Sequence, residues 1–178
     1  MPDQGTPARA LDENDVSQAV QRWLEARGYN ARSLVAGKQG IDVAAWHPQT
    51  HHRWAIEAKG ATSSRKGTRA FGAASSEPRA YNAVSKALLN AVFWSGIEAL
   101  KDTSLGIACP SDRHFDMWLN RIEPACSILG IAIFRVSLDW RVTCSRENMP
   151  TRPTALQASK WPMPKSLTRN FEPLPPYE

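Results

Sequence analysis

Apolar residues first recur at helical spacing at Val16, Ala19, Val20, Trp23 and Leu24, between Asp12, a helix-capping residue, and Gly28, a helix stop. The spacing predicts one amphipathic helix. Three shorter stretches, 31–36, 41–47 and 53–59, read as strands separated by Gly37-Lys38-Gln39-Gly40 and by Pro48-Gln49-Thr50-His51-His52. The last two form a predicted hairpin. Helical spacing returns at Tyr81, Val84, Leu88 and Val92, flanked by Leu89, Phe93 and Ile97, for a second helix. A short buried strand over 105–109 follows, and then Asp112 caps a third helix carrying Phe115, Trp118, Leu119 and Ile122. The most apolar strand of the chain spans 128–136. The resulting order, αβββαβαβ, belongs to the α/β class.

The periodicity stops near residue 145. Seven of the 13 prolines fall in 145–178, and neither helical nor alternating spacing survives there. The chain therefore divides into a domain over 1–144 and a Pro-rich tail or arm over 145–178. Trp161, Phe171 and Tyr177 are the tail's anchors onto its own domain, a sister subunit or a protein partner. At 178 residues the chain is long enough to bury a core without staples. Its three cysteines, Cys109, Cys126 and Cys144, form no Cys-x-x-Cys pair, which argues against a zinc ribbon or a disulfide scaffold and fits a reducing cytoplasm. No apolar run is long enough to span a bilayer, so no membrane is expected.

Charge narrows the partner. Twenty-two Lys and Arg against 17 Asp and Glu leave a formal charge of +5, an excess suited to a polyanion. Arg65, Lys66, Arg69 and Arg79 stand in a stretch rich in Gly, Ser, Ala and Thr with Glu77 as its one acid. This reads as a basic loop able to contact phosphates.

The chemistry concentrates in the hairpin. Its two arms carry Gly40-Ile41-Asp42-Val43-Ala44 and Trp54-Ala55-Ile56-Glu57-Ala58-Lys59-Gly60. The two-residue period of a strand puts Glu57 and Lys59 on one face and Ile56 and Ala58 on the other. With the turn centred on Gln49 and Thr50, Asp42 falls directly opposite Glu57. Two carboxylates held that close need a cation between them. Mg²⁺, with Mn²⁺ able to substitute, meets that need and accepts phosphate oxygens, while a neighbouring lysine orients water or offsets charge on the phosphate. The alternative is an exposed hairpin face whose acids are neutralised by Lys59 in an ordinary ion pair.

These residues resemble the PD-(D/E)xK nuclease superfamily, whose restriction-endonuclease-like core runs helix, three strands, helix, strand around a mixed central sheet flanked by helices. Asp42 with Glu57-Ala58-Lys59 matches its signature, although Ile41 stands where the pattern has proline. The likeness is greatest to the Holliday-junction resolvase and Mrr-like branch, and it covers residues 12–136. It implies a Mg²⁺-dependent DNA endonuclease, resolvase-like or structure-selective, and a homodimer that cuts two strands. Asp42 and Glu57 are then metal ligands, and Glu13 on the first helix is a third acid, with Asp12 and Asp15 as alternatives. Asn82, Ser85 and Lys86 on the second helix are the implied polar neighbours of the site, Lys86 as a phosphate contact. Duplex, branched and single-stranded DNA, and RNA, would leave the same signature. A catalytically inactive nuclease fold, serving as a DNA-binding or assembly module, is the competing reading. His47, His51 and His52 crowd the far end of the hairpin, where a wet turn is expected rather than a metal or proton-shuttle site.

Overall fold

A computed structural model describes residues 9–33, 40–64, 67, 71–73 and 75–146. The tail residues Trp161, Phe171 and Tyr177 and the loop residues Arg65, Lys66 and Arg69 lie outside them. The elements are α1 (Glu13–Glu25), β1 (Asn30–Ser33), β2 (Val43–Trp46), β3 (Arg53–Ala58), α2 (Glu77–Ser95), β4 (Thr103–Pro110), α3 (Arg113–Leu129), β5 (Ile131–Val136) and β6 (Val142–Cys144), with a 3-10 turn at Glu98–Leu100.

Six strands form one mixed sheet in the order β1-β2-β3-β4-β5-β6. The first three form an antiparallel meander, β3, β4 and β5 run parallel, and β6 returns antiparallel along β5. Parallel neighbours need long crossovers, and α2 and α3 supply them. One core lies between the sheet and α2 and α3, built on Ala55, Leu105, Ile107, Ile133, Val84 and Phe115. The other lies between the sheet and α1, built on Ile56, Ala58, Phe134, Val16, Val20 and Leu24. A sheet covered on both faces explains why all eight residues of β4 are buried. Gly106 makes room in it: a Cβ there would lie 2.7 Å from the ring of Phe134, which also packs edge-on against Trp23 and Trp54.

Both expected caps form. Asp12 accepts the amide of Asp15 at 3.0 Å, and Asp15 accepts the amide of Asp12 at 2.9 Å, a reciprocal capping box. Arg9 braces the pair with ion pairs at 3.1 and 2.9 Å. Asp112 accepts the amides of His114 and Phe115 at 2.8 and 3.0 Å.

Three expectations change. The apolar run over 128–136 is divided, because α3 continues through Ile128, which is 80% exposed, to Gly130 in the left-handed conformation (φ 73°), and β5 begins only at Ile131. The buried stripe of α2 is Ala80, Val84, Ala87, Ala91 and Trp94. Val84 is buried as expected and Leu88 and Phe93 pack beside it, but the fully buried Ala80, Ala87 and Ala91 fall one residue before the expected Tyr81, Leu88 and Val92. Small side chains seat this helix on the sheet, leaving Tyr81, Leu89 and Val92 exposed. Finally, β6 was not foreseen: three residues are too few for a periodic signal. Ser145 extends its ladder, exchanging backbone and hydroxyl hydrogen bonds with Ile133. Among the described residues no helix is long and apolar enough to cross a membrane.

Candidate active site

The register of the hairpin positions the acids. Val43 pairs with Ile56 and Trp46 with Arg53, so one further step places Asp42 opposite Glu57, as the turn centre implied. Ile56 and Ala58 enter the α1-side core, and the alternation turns Asp42 and Glu57 toward α2. The amide of Ala58 donates to Asp42 Oδ2 at 2.7 Å and holds that carboxylate at the strand end. Lys59 adds one more step to the β3–β4 pairing through its amide, which donates to the carbonyl of Ala108 at 2.9 Å.

Gly60 then brings in the third acid. A Cβ at this position would stand 2.4 Å from the Glu13 nitrogen and 2.5 Å from the Asp12 carbonyl carbon, so the first turn of α1 lies directly on the glycine. The amide of Ala61 donates to the Leu11 carbonyl at 2.8 Å and fastens the two segments. Together these contacts deliver Glu13 to the end of β3. Asp12 and Asp15, the alternatives, are engaged in the capping box and with Arg9.

The side chains meet around one nitrogen. Lys59 Nζ lies 2.6 Å from Glu57 Oε1, 2.8 Å from the Ala58 carbonyl oxygen, 3.6 Å from Glu13 Oε2 and 3.8 Å from Asp42 Oδ2. Asn90 of α2 donates through Nδ2 to Glu57 Oε1 at 2.8 Å. Exposure of the side chains rises from 6% at Glu57 through 11% at Asp42 and 18% at Lys59 to 27% at Glu13, so the cluster opens on the Glu13 side. Burial and the nearby charge of Glu57 push the Asp42 carboxyl up to about 7. Burial works against the Lys59 ammonium, yet Glu57, Asp42 and Glu13 outweigh it and hold the ammonium above its ordinary value.

Three carboxylates against one ammonium leave an excess of negative charge when all are ionised. Carboxylate and carbonyl oxygens are the donor type that a hard divalent cation takes, and here they surround the Lys59 nitrogen. Among the described residues no group of three or more His, Cys, Asp or Glu side chains is arranged so that it could hold a metal ion.

The remaining candidates lie apart from the cluster. Arg79 is half-buried and donates to the Ala61 carbonyl at 3.2 Å, bracing α2 against the segment that follows Lys59. Lys86, Asn82 and Ser85 are exposed on α2. The displacement of the buried stripe turns Asn82 and Ser85 outward and makes Asn90 the α2 residue of the site. A signal for Asn90 is present in the chain: it sits between Ala87 and Trp94 at the three-and-four spacing of the inward face. Gly60 carries no comparable signal, because its role depends on a contact with a helix some 45 residues earlier in the chain.

Comparison with protein-family models, with curated proteins and with solved structures finds no match for this chain.

Proposed function

We propose that this chain is a metal-dependent nuclease with a restriction-endonuclease-like core, hydrolysing DNA phosphodiester bonds with Mg²⁺, or Mn²⁺ in its place. The observation that carries the reading is the convergence of Asp42, Glu57 and Glu13, from three separate segments, on Lys59 at the open end of β3. The run of α1, three meander strands, α2 and β4 supports the fold assignment, since it follows the element order of that core. Asp42, Glu57 and Glu13 would hold the ion, which supplies Lewis-acid polarisation of the phosphodiester and neutralises charge there. The Ala58 amide and Asn90 fix the first two carboxylates. Lys59 is the cationic group of the cluster, placed to orient water and to offset charge that builds on the phosphate. The net charge of +5 gives the chain its attraction to the DNA backbone. A homodimer would present two such sites to two strands.

The test is to incubate supercoiled, branched and single-stranded DNA with the full chain and Mg²⁺ or Mn²⁺. Cleavage that a chelator abolishes is the expected result. Undiminished cleavage in excess chelator would remove the metal from the reading.

One observation favours a second reading, an inactive nuclease fold that binds DNA or assembles with a partner: Lys59 already occupies the centre of the oxygen cluster as its cation. DNA binding without cleavage under every metal condition would establish that alternative.

A further inference from the structure

Beside the acid cluster, at the C-terminal ends of β4 and β5, lies a cavity of about 410 Å³ that the reaction chemistry does not use. Leu11, Pro110, Val136 and Leu138 give it apolar walls, and its polar lining includes Asp112, Arg113 and His114. It shares Leu11 and Ala61 with the site, the two residues whose hydrogen bond seats α1 over Gly60 and so positions Glu13. Two strand spacings, about 10 Å, separate the end of β3 from the end of β5. That is a distance the nucleotide next to a reacting phosphate can cover.

The lining selects the occupant. Apolar walls enclosing a volume of this size accept a flat heterocycle, with a few polar groups to orient it. Leu138 is 54% exposed at the rim, apolar surface that a stacked ring would cover. Arg113 is exposed, donates from Nε to His114 Nε2 at 3.2 Å and has no carboxylate partner among the described residues, so its remaining N–H groups can meet a phosphate. The end of α3 is not what recommends the position, because Asp112 already accepts the amides of His114 and Phe115 and also the hydroxyl of Ser75, at 2.7 Å.

We infer that this cavity holds the base of a nucleotide, its phosphate toward Arg113, adjacent to the phosphodiester that meets Asp42, Glu57 and Lys59. The inference rests on the proposed nuclease reading and sharpens its substrate: a base must leave its stack to enter, which costs least in single-stranded or branched DNA.

The experiment uses the full chain in excess chelator, which prevents metal-dependent cleavage, with oligonucleotides carrying one 2-aminopurine in single-stranded or duplex form, and dAMP as a free nucleotide. The single strand should bind more tightly than the duplex, with a change in 2-aminopurine fluorescence. Leu138→Ala and Arg113→Ala, both at exposed positions, should each weaken single-strand binding about tenfold and remove the fluorescence change. Lys101→Ala, exposed before the opposite end of β4, should change neither. Unaltered affinity and fluorescence in both cavity variants would overturn the inference even if the wild type cleaves DNA. Capture of dAMP with no strand binding would overturn it in favour of a free-nucleotide pocket. Strand binding that depends on Leu138 and Arg113, in a chain that never cleaves, would keep the cavity and reject the nuclease.

Discussion

The β2–β3 hairpin carries a cluster of titratable side chains at each end, and the two clusters are built on opposite plans. At the turn, His47 Nδ1 accepts the amides of Gln49 and Thr50 at 3.3 and 3.2 Å, and His52 is bonded through both ring nitrogens, to the Tyr29 hydroxyl and to Ser104 Oγ, each at 2.7 Å. Either hydroxyl can donate or accept, so a neutral imidazole is fully matched. Burial, and then the proximity of His47, lower the His52 pKa and keep the ring uncharged. At the open end, Asp42, Glu57 and Glu13 crowd a single ammonium, and their charges are not balanced. A cluster whose half-buried ring has both nitrogens matched within the fold, as His52 has, locks the turn in place. Surplus negative charge on a rigid platform is the feature on which the proposed nuclease reading rests.

The largest test of this contrast removes the one cation from the unbalanced end. Lys59→Ala should lower DNA cleavage by about 10²- to 10³-fold, the scale of deleting one group that stabilises charge in a transition state. DNA binding should persist. With the ammonium gone the carboxylates depend more on an added cation, so Mg²⁺ should raise the melting temperature of the variant more than that of the wild type. Cleavage at the wild-type rate would show that Lys59 is only a structural counter-ion, and the two ends of the hairpin would then be alike.

The next effect is steric. Gly60→Ala would place a methyl group 2.4 Å from the Glu13 backbone nitrogen, so α1 must move. A loss of about 1 to 3 kcal/mol in stability is expected, measured by denaturant unfolding. Cleavage should fall further than stability accounts for, because Glu13 shifts with the helix. A milder change, Asn90→Ala, removes one hydrogen bond from Glu57 at an exposed helix position. It should reduce cleavage about tenfold, the worth of one hydrogen bond to a charged group, and leave the melting temperature nearly unchanged.

These two residues also mark where the sequence stops being legible. Asp42, Glu57 and Lys59 could be set side by side in advance because a strand's period and a turn centre determine both face and partner. Asp12 and Asp112 could be identified as caps because capping is local chemistry. Glu13 needed a family likeness, and its position depends on Gly60, whose contact no local pattern encodes. Asn90 was missed because Tyr81, Leu88 and Val92 were assigned to the core with Val84, whereas the fully buried face of α2 adds Ala80, Ala87 and Ala91 to Val84 and Trp94. Hydrophobicity ranks residues by their gain from burial, and close approach to a sheet instead rewards small size. The histidines were expected in a wet turn; they do lie at the turn, but His52 is half-buried and its hydrogen bonds reach Tyr29 on the approach to β1 and Ser104 on β4, partners distant in sequence.

The smallest effect reports on both ends at once, through pH. The Asp42 carboxyl is raised in the fold from 3.8 to about 7, so below about pH 4 it is protonated folded or unfolded, and its contribution to stability is fully present. As pH rises through about 7 that contribution is lost, because the unfolded chain ionises more readily. His52 behaves in the opposite sense. Its pKa lies below the ordinary 6.5 in the fold, so stability is fully present above pH 6.5 and lost as acid protonates the unfolded chain first. Asp42→Asn keeps an oxygen for the Ala58 amide and removes the charge, and His52→Gln removes the titrating ring. Relative to wild type, the melting temperature of Asp42→Asn should climb as pH is raised from 4 to 8, by about 2 to 4 °C for each kcal/mol relieved. That of His52→Gln should climb, relative to wild type, as pH is lowered from 7 to 5, from a lower starting value set by the weakened bonds to Tyr29 and Ser104. Stabilisation of Asp42→Asn accompanied by loss of cleavage would mark the open end as a place where the fold tolerates strain for chemistry. Difference curves sloping the same way would mean that the two ends share one electrostatic plan, and the contrast drawn from their hydrogen bonds would fail.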